Sequence, residues 1–282
     1  MSHSLRETSY QGVFTYQHGN TVQSMRISHS VDGQTETEEV THLSGAGARI
    51  VRKDHPLDCV HPGHRLVRTS ELYAQTDAGC GVAEHYSLKT AGLNRIAGRQ
   101  AVTINILPLD MYRYGYQIAL DSETGLLLKT QTMAQDGKIL ERFQFADLSI
   151  GPVDELNGAT EGVHHASHSH ADAASGAAST GSELPWHIGW VPDGFVQTDG
   201  DNGSVFDKTF TDGLAVFTVF LETMPKLAAP GEGRARQGGT TAYTRGMALD
   251  RQAVLVTVLG EVPINTARMV ADSIRWSSLH AD

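Results

Sequence analysis

Between Tyr10 and Ile150 the chain repeats one pattern: a short run of β-branched and aromatic residues, then a small group of turn formers. The runs cover Tyr10–Gln17, Val22–Ser30, Thr35–Leu43, Arg49–Lys53, His85–Thr90, Arg99–Leu107, Arg113–Leu120, Leu126–Met133 and Ile139–Asp147. Between them stand His18-Gly19-Asn20, Asp32-Gly33, Gly45-Ala46-Gly47, Ser122-Glu123-Thr124-Gly125 and Asp136-Gly137, which carry hairpin-turn chemistry. Tight turns join antiparallel neighbours, so the pattern predicts one large antiparallel sheet. A sheet of about nine strands must curl or be covered on one face.

Period-two alternation predicts which face is apolar. Tyr10, Gly12, Phe14 and Tyr16 share one side of the first strand, and Met25 and Ile27 one side of the second. Val102, Ile104 and Ile106 line another strand. Tyr112, Tyr114, Tyr116, Ile118 and Leu120 line the next, with Arg113, Gly115 and Gln117 opposite. An ordinary core explains most of this stripe. The tyrosines also suit a ligand cavity, because a buried phenol needs a partner for its hydroxyl. The candidate cavity residues are Phe14, Tyr16, Met25, Ile27, Tyr114 and Tyr116.

Residues 151–184 change character: Ala, Ser, Gly and His dominate and periodic apolar residues vanish. A structureless stretch of that length is rare inside one domain, so it predicts a linker between residues 1–150 and 185–282. Beyond it, short strands are expected near Phe195–Thr198, Val205–Thr211, Leu214–Glu222, Thr240–Met247 and Ala253–Leu259. Pro263–Trp276 reads as a helix, with Ile264, Ala267, Val270, Ala271 and Ile274 on one face. Thr223–Gly239 reads as an exposed, mobile loop. A small sheet under one helix is an α+β module.

The chain carries 22 basic and 32 acidic residues, net −10, and half of that excess lies in the linker. With no basic cluster, nucleic acid is disfavoured as a partner. No apolar run reaches the ~18 residues of a membrane-spanning helix. No nucleophile elbow, phosphate-binding glycine loop, HExxH or framed acid pair is present, so an enzyme is not expected, nor a cofactor.

Seven segments, in this order, resemble the MucB/RseB family of periplasmic regulators. They are YQGVFTYQHG, GLNRIAGRQAV, YRYGYQIALDSETGLLLKTQ and DGKILERFQFADLSIG, then WHIGWVPDGF, TDGLAVFTVFLE and GEVPINTARMVADSI. The resemblance implies a lipoprotein-carrier-like (LolA/LolB-like) half-open antiparallel β-barrel followed by a smaller α+β partner-binding domain. It implies a periplasmic protein that binds the periplasmic segment of a membrane anti-sigma factor and shields it from regulated proteolysis. Lipid or lipopolysaccharide fragments would release that hold, and a homo-oligomer is compatible with this reading. It also implies an export signal removed ahead of Met1, since MSHSLRETS is no signal peptide. The alternative is a periplasmic lipid or lipoprotein carrier, which would need only the first domain.

In an exported chain, Cys59 and Cys80 would pair as a disulfide closing their excursion. The alternatives are free thiols, or a zinc site completed by His61 and His64 at a spacing unlike common structural sites. His164, His165, His168 and His170 could hold a metal loosely, but a His-rich polar linker is the simpler reading. In the C-terminal domain Trp186, Trp190, Phe195, Arg234 and Arg236 are the expected partner-binding residues. The competing reading makes the tryptophans part of that domain's core.

Overall fold

The computed structural model describes residues 8–32, 35–45, 47, 49–53, 82–152, 186–198, 207–224, 231–249 and 252–276. Nine strands form the first sheet: β1 Tyr10–His18, β2 Thr21–Asp32, β3 Thr35–His42, β4 Arg49–Lys53, β5 Tyr86–Ile96, β6 Arg99–Pro108, β7 Gly115–Asp121, β8 Leu127–Met133 and β9 Ile139–Ile150. One helical turn, α1 (Val82–His85), leads into β5. The order is β4-β3-β2-β1-β9-β8-β7-β6-β5, with every pair antiparallel. The first strand therefore lies beside the last, and among the described residues β4 and β5 remain as open edges. This is the large antiparallel sheet that the turn pattern predicts.

Cross-strand pairing carries one apolar face through the sheet. Gly12 sits opposite Ile27, Phe14 opposite both Met25 and Phe145, and Tyr16 opposite Phe143. Phe143 faces Thr130, which in turn faces Ile118, two residues from Tyr116 on the same face. Phe14, Phe143 and Phe145 pack with ring centroids 5.0–6.1 Å apart. Each such side chain taken from water contributes about 1.5–3 kcal/mol.

β5 runs six residues beyond the predicted Thr90. A register shift between Thr90 and Gly92 interrupts its alternation, which hides the second half from a period-two reading. The β5–β6 hairpin then closes through Ala97 and Gly98, both with positive φ (49° and 77°), as a two-residue turn matched to sheet twist demands.

The C-terminal half forms a second sheet, ordered β11-β12-β13-β16-β15-β14. Its strands are β11 Val196–Gln197, β12 Asp207–Thr211, β13 Val216–Thr223, β14 Glu232–Gln237, β15 Thr240–Leu249 and β16 Gln252–Gly260. Helix α2 (Ile264–Asp272) covers it, burying Thr266, Ala267, Val270 and Ala271 among residues such as Phe217, Val256 and Val258. The molecule is thus mainly β, with an α+β arrangement in this half.

Two local expectations are corrected here. The helix predicted to Trp276 ends at Asp272, and β17 (Ile274–Trp276) pairs antiparallel with β10 (Trp186–Ile188). Ser273 makes the break: its Oγ donates to Val270 O at 2.8 Å and accepts from Trp190 N at 3.1 Å. The stretch predicted as a mobile loop contains β14, because the Gly238-Gly239 turn pairs it with β15.

Asp121 pins the β7–β8 connection. Its carboxylate accepts from the amides of Glu123 and Thr124 at 3.0 and 2.9 Å and pairs with Arg99 at 2.5 Å. Burial works to raise its pKa, but Arg99 and the Thr124 and Glu123 bonds outweigh it and hold the carboxyl at about 2, below its ordinary 3.8. The folded form thus favours the carboxylate. The stabilisation is present above the ordinary value and lost as pH falls through about 2. Asp121→Asn is expected to lower stability at pH 7 by roughly 2 kcal/mol, with the gap to wild type closing between pH 4 and 2. Urea unfolding across that range checks it.

Candidate interdomain site

The two halves meet along a seam built around Arg113. This residue lies in the bend between β6 and β7, and its side chain is 0% exposed. Its guanidinium donates to Asp212 Oδ2 at 3.0 Å and to the Asp193 carbonyl, both in the C-terminal half. Its Nε faces the Asp110 carboxylate at 3.1 Å. The Tyr86 and Phe195 rings flank it at 5.6 and 5.1 Å.

Asp212 is satisfied on both oxygens. Oδ2 also accepts from Tyr86 Oη at 2.9 Å, while Oδ1 accepts the amides of Leu214 and Ala215 at 3.0 and 2.8 Å. Removing two charges from water costs several kcal/mol per ion, and this complement of bonds is what makes the burial tolerable. Burial first, and the neighbouring Asp212 next, pushes the Tyr86 hydroxyl well above its ordinary range, so it remains a donor.

Further contacts lie along the same seam. Leu214 packs into the cluster of Tyr86, Ile106, Tyr116, Ile118 and Leu127. Thr266 Oγ1 donates to Tyr112 O at 2.9 Å, and Tyr112 meets Trp190 edge-on at 5.1 Å. The Glu141 carboxylate takes Tyr16 Oη and Thr132 Oγ1, each at 3.0 Å, and the Gly239 amide at 3.2 Å. The Gly238-Gly239 turn can approach this closely only without side chains. Gly238 has φ +59° in the left-handed region, and a Cβ on it would lie 2.5 Å from Glu141 Oε2.

The six expected cavity residues divide between two surroundings. Phe14, Met25 and Ile27 are buried in one cluster with Phe143, Phe145 and Leu148, and Tyr16 packs at its margin. Tyr114 and Tyr116 lie at the seam. Tyr114 Oη sits 3.2 Å from Thr241 Oγ1. Burial raises its pKa, with Thr241 and Arg236 pulling it partway back. Tyr116 Oη is buried with no hydrogen-bond partner among the described residues, and burial raises its pKa strongly.

The expected partner-binding residues are likewise scattered. Trp186 and Phe195 belong to the buried C-terminal core, and Trp190 packs against it and against Tyr112. Arg234 and Arg236 are exposed on β14, an edge of the second sheet. Cys59, Cys80, His164, His165, His168 and His170 lie outside the described residues, as does most of the predicted linker.

Sequence reasoning missed Arg113 and Asp212. It placed Arg113 on the polar side of a strand that in fact begins at Gly115. The available signal was local: Asp212-Gly213 after a strand is a turn whose carboxylate caps the following amides. Removing one member of the buried pair should cost about 3–5 kcal/mol, because the other is left charged and unpaired. Arg113→Ala and Asp212→Ala are each expected to show that loss in urea unfolding, and Arg113→Met with Asp212→Leu a smaller one.

A family model described as MucB/RseB N-terminal domain matches residues 1–169, and one described as MucB/RseB C-terminal domain matches 180–275. The sigma factor AlgU regulatory protein MucB of Pseudomonas aeruginosa is 32% identical over 284 residues, covering 96% of this chain and 87% of that protein. The sigma-E factor regulatory protein RseB of Haemophilus influenzae is 27% identical, covering 98% and 89%. A crystal structure of MucB in complex with MucA(peri) superimposes with a TM-score of 0.74 at 30% identity, over 98% of this chain and 96% of that one. Matched along nearly its whole length, this chain belongs to the MucB/RseB family.

Proposed function

We propose that this protein is a periplasmic negative regulator of an envelope-stress sigma factor, acting by holding the periplasmic segment of a membrane anti-sigma factor. The observation that carries this reading is the likeness, through both halves of the chain, to MucB in complex with MucA(peri). Holding that segment shields it from proteolysis, so the sigma factor stays captive. The chain divides for this task into a sheet domain, residues 1–150, a linker, 151–184, and a partner-binding domain, 185–282. Arg234, Arg236 and Trp190 are the C-terminal side chains best placed to meet the partner, since Trp186 and Phe195 are core residues. In the oxidising periplasm Cys59 and Cys80 pair.

Lipid or lipopolysaccharide fragments act as the releasing signal by entering the apolar face that carries Phe14, Tyr16, Met25, Ile27, Tyr114 and Tyr116. Tyr114 and Tyr116 lie under the C-terminal half, so an amphiphile that reaches them must compete with the seam. Two ligands that prefer different seam states oppose each other by the same factor in both directions. The seam's polar contacts suit such an exchange, because polar interdomain contacts can be replaced by water without exposing a core.

Calorimetry with the cognate anti-sigma segment tests the reading. The whole chain is expected to bind it, and added lipopolysaccharide to weaken that binding. Tyr114→Asp is expected to weaken the lipopolysaccharide effect by replacing an aromatic ring on that face with a charge. No peptide binding by the intact chain, or binding indifferent to lipopolysaccharide, would remove the regulator or the sensor reading respectively.

A further inference from the structure

The edge strand β5 is the least protected surface among the described strands. It is 11 residues long and, among the described residues, pairs on one side only, with β6. Residues 88–95 are all exposed, and Leu88 and Leu93 stand 53% and 62% open. A lone strand of this length presents a row of unpaired amides and carbonyls, and natural sheets usually blunt such an edge with charge, proline or brevity. The other edges of the two larger sheets follow that habit. β4 has 5 residues, β11 has 2, and β14 has 6 with no large apolar side chain. On β5, Lys89 and the bulge near Ala91 protect the middle, but the leucines on either side are liabilities in a strand meant to stay unpaired.

The two leucines also share a face. Leu88 is opposite Ile106 and Leu93 opposite Val102, so the bulge keeps them in phase. Lys89, opposite Asn105, points to the other side. Charge points the same way as shape. The hairpin from Tyr86 to Pro108 contains Lys89, Arg95 and Arg99 and no acidic residue, in a chain of net charge −10. Arg99 is neutralised by Asp121 and Glu123, which leaves Lys89 and Arg95 as the positive charges of the edge without an acidic partner among the described residues.

We infer that β5 is a strand-addition site for an extended, acidic segment of a partner protein, with apolar side chains against Leu88 and Leu93 and a carboxylate against Lys89. Main-chain hydrogen bonds to the edge supply the register, and alternate side chains supply the choice of sequence. A second copy of this chain is a poor occupant, because pairing β5 with itself brings Lys89 and Arg95 against like charge. This inference rests on the proposed regulator reading and names where the anti-sigma segment engages the N-terminal sheet.

Hydrogen–deuterium exchange on the full chain, with and without the cognate periplasmic anti-sigma segment, tests it. The amides of residues 87–95 are expected to gain protection on binding. Leu88→Glu with Leu93→Glu, and separately Lys89→Glu with Arg95→Glu, should each weaken binding by about tenfold or more, as loss of apolar or charged anchors does. All four side chains are exposed, so thermal unfolding should match wild type. Tight binding by both variants, without protection of β5, would overturn the site while leaving the regulator reading intact. Absence of binding by the wild type would overturn both. Protection of the same amides by phosphatidylglycerol vesicles but not by the segment, or by raising protein concentration alone, would assign the edge to lipid or to self-association and overturn the inference.

Discussion

A single buried charge pair, Arg113 with Asp212, sets the relation between the two halves of this molecule. Neither group could be left in the seam alone, since an unpaired buried charge is far more costly than a missing apolar contact. The pair draws its neighbours into place. Tyr86 must turn its hydroxyl to Asp212, the chain at Asp193 must present its carbonyl, and the turn after Asp212 must aim two amides inward. Leu214, placed by that turn, then fills the apolar patch beside Tyr116 and Ile118.

The seam differs in kind from the cores on either side of it. The cores are held by apolar burial around Phe14, Phe143 and Phe145 in one half, and around Phe217, Val256 and Val270 in the other. The seam adds directional bonds among Arg113, Asp212, Glu141, Thr241 and Thr266 to the apolar cluster that Leu214 enters. Packing of the first kind is lost only by unfolding. Bonds of the second kind exchange with water or with a ligand's polar groups, which suits the proposed release. The Tyr116 hydroxyl, buried with no hydrogen-bond partner among the described residues, lies in this same region.

The strand pattern was legible because its causes are local. Alternation over several residues and turns such as Asp136-Gly137 act between near neighbours, and they predict nine antiparallel strands without reference to the rest of the chain. Where a local irregularity breaks the period, legibility stops. The bulge near Ala91 hid half of β5, and Ser273 diverted a helical-looking run into β17. The resemblance of the seven segments identified the family for the same reason: it is carried by contiguous residues.

Arg113 marks the limit. By sequence it alternates with tyrosines and belongs on a polar face, and its partner Asp212 lies 99 residues away. Likewise Gly239 meets Glu141 across 98 residues, and Tyr114 meets Thr241 across 127. The sequence by itself determined the strands, their turns and the apolar face, because each depends on side-chain period and backbone preference within a few residues. Only the tertiary structure decided which polar residues are buried against each other and which edge is left open. Those outcomes depend on the approach of two sheets that no local preference encodes.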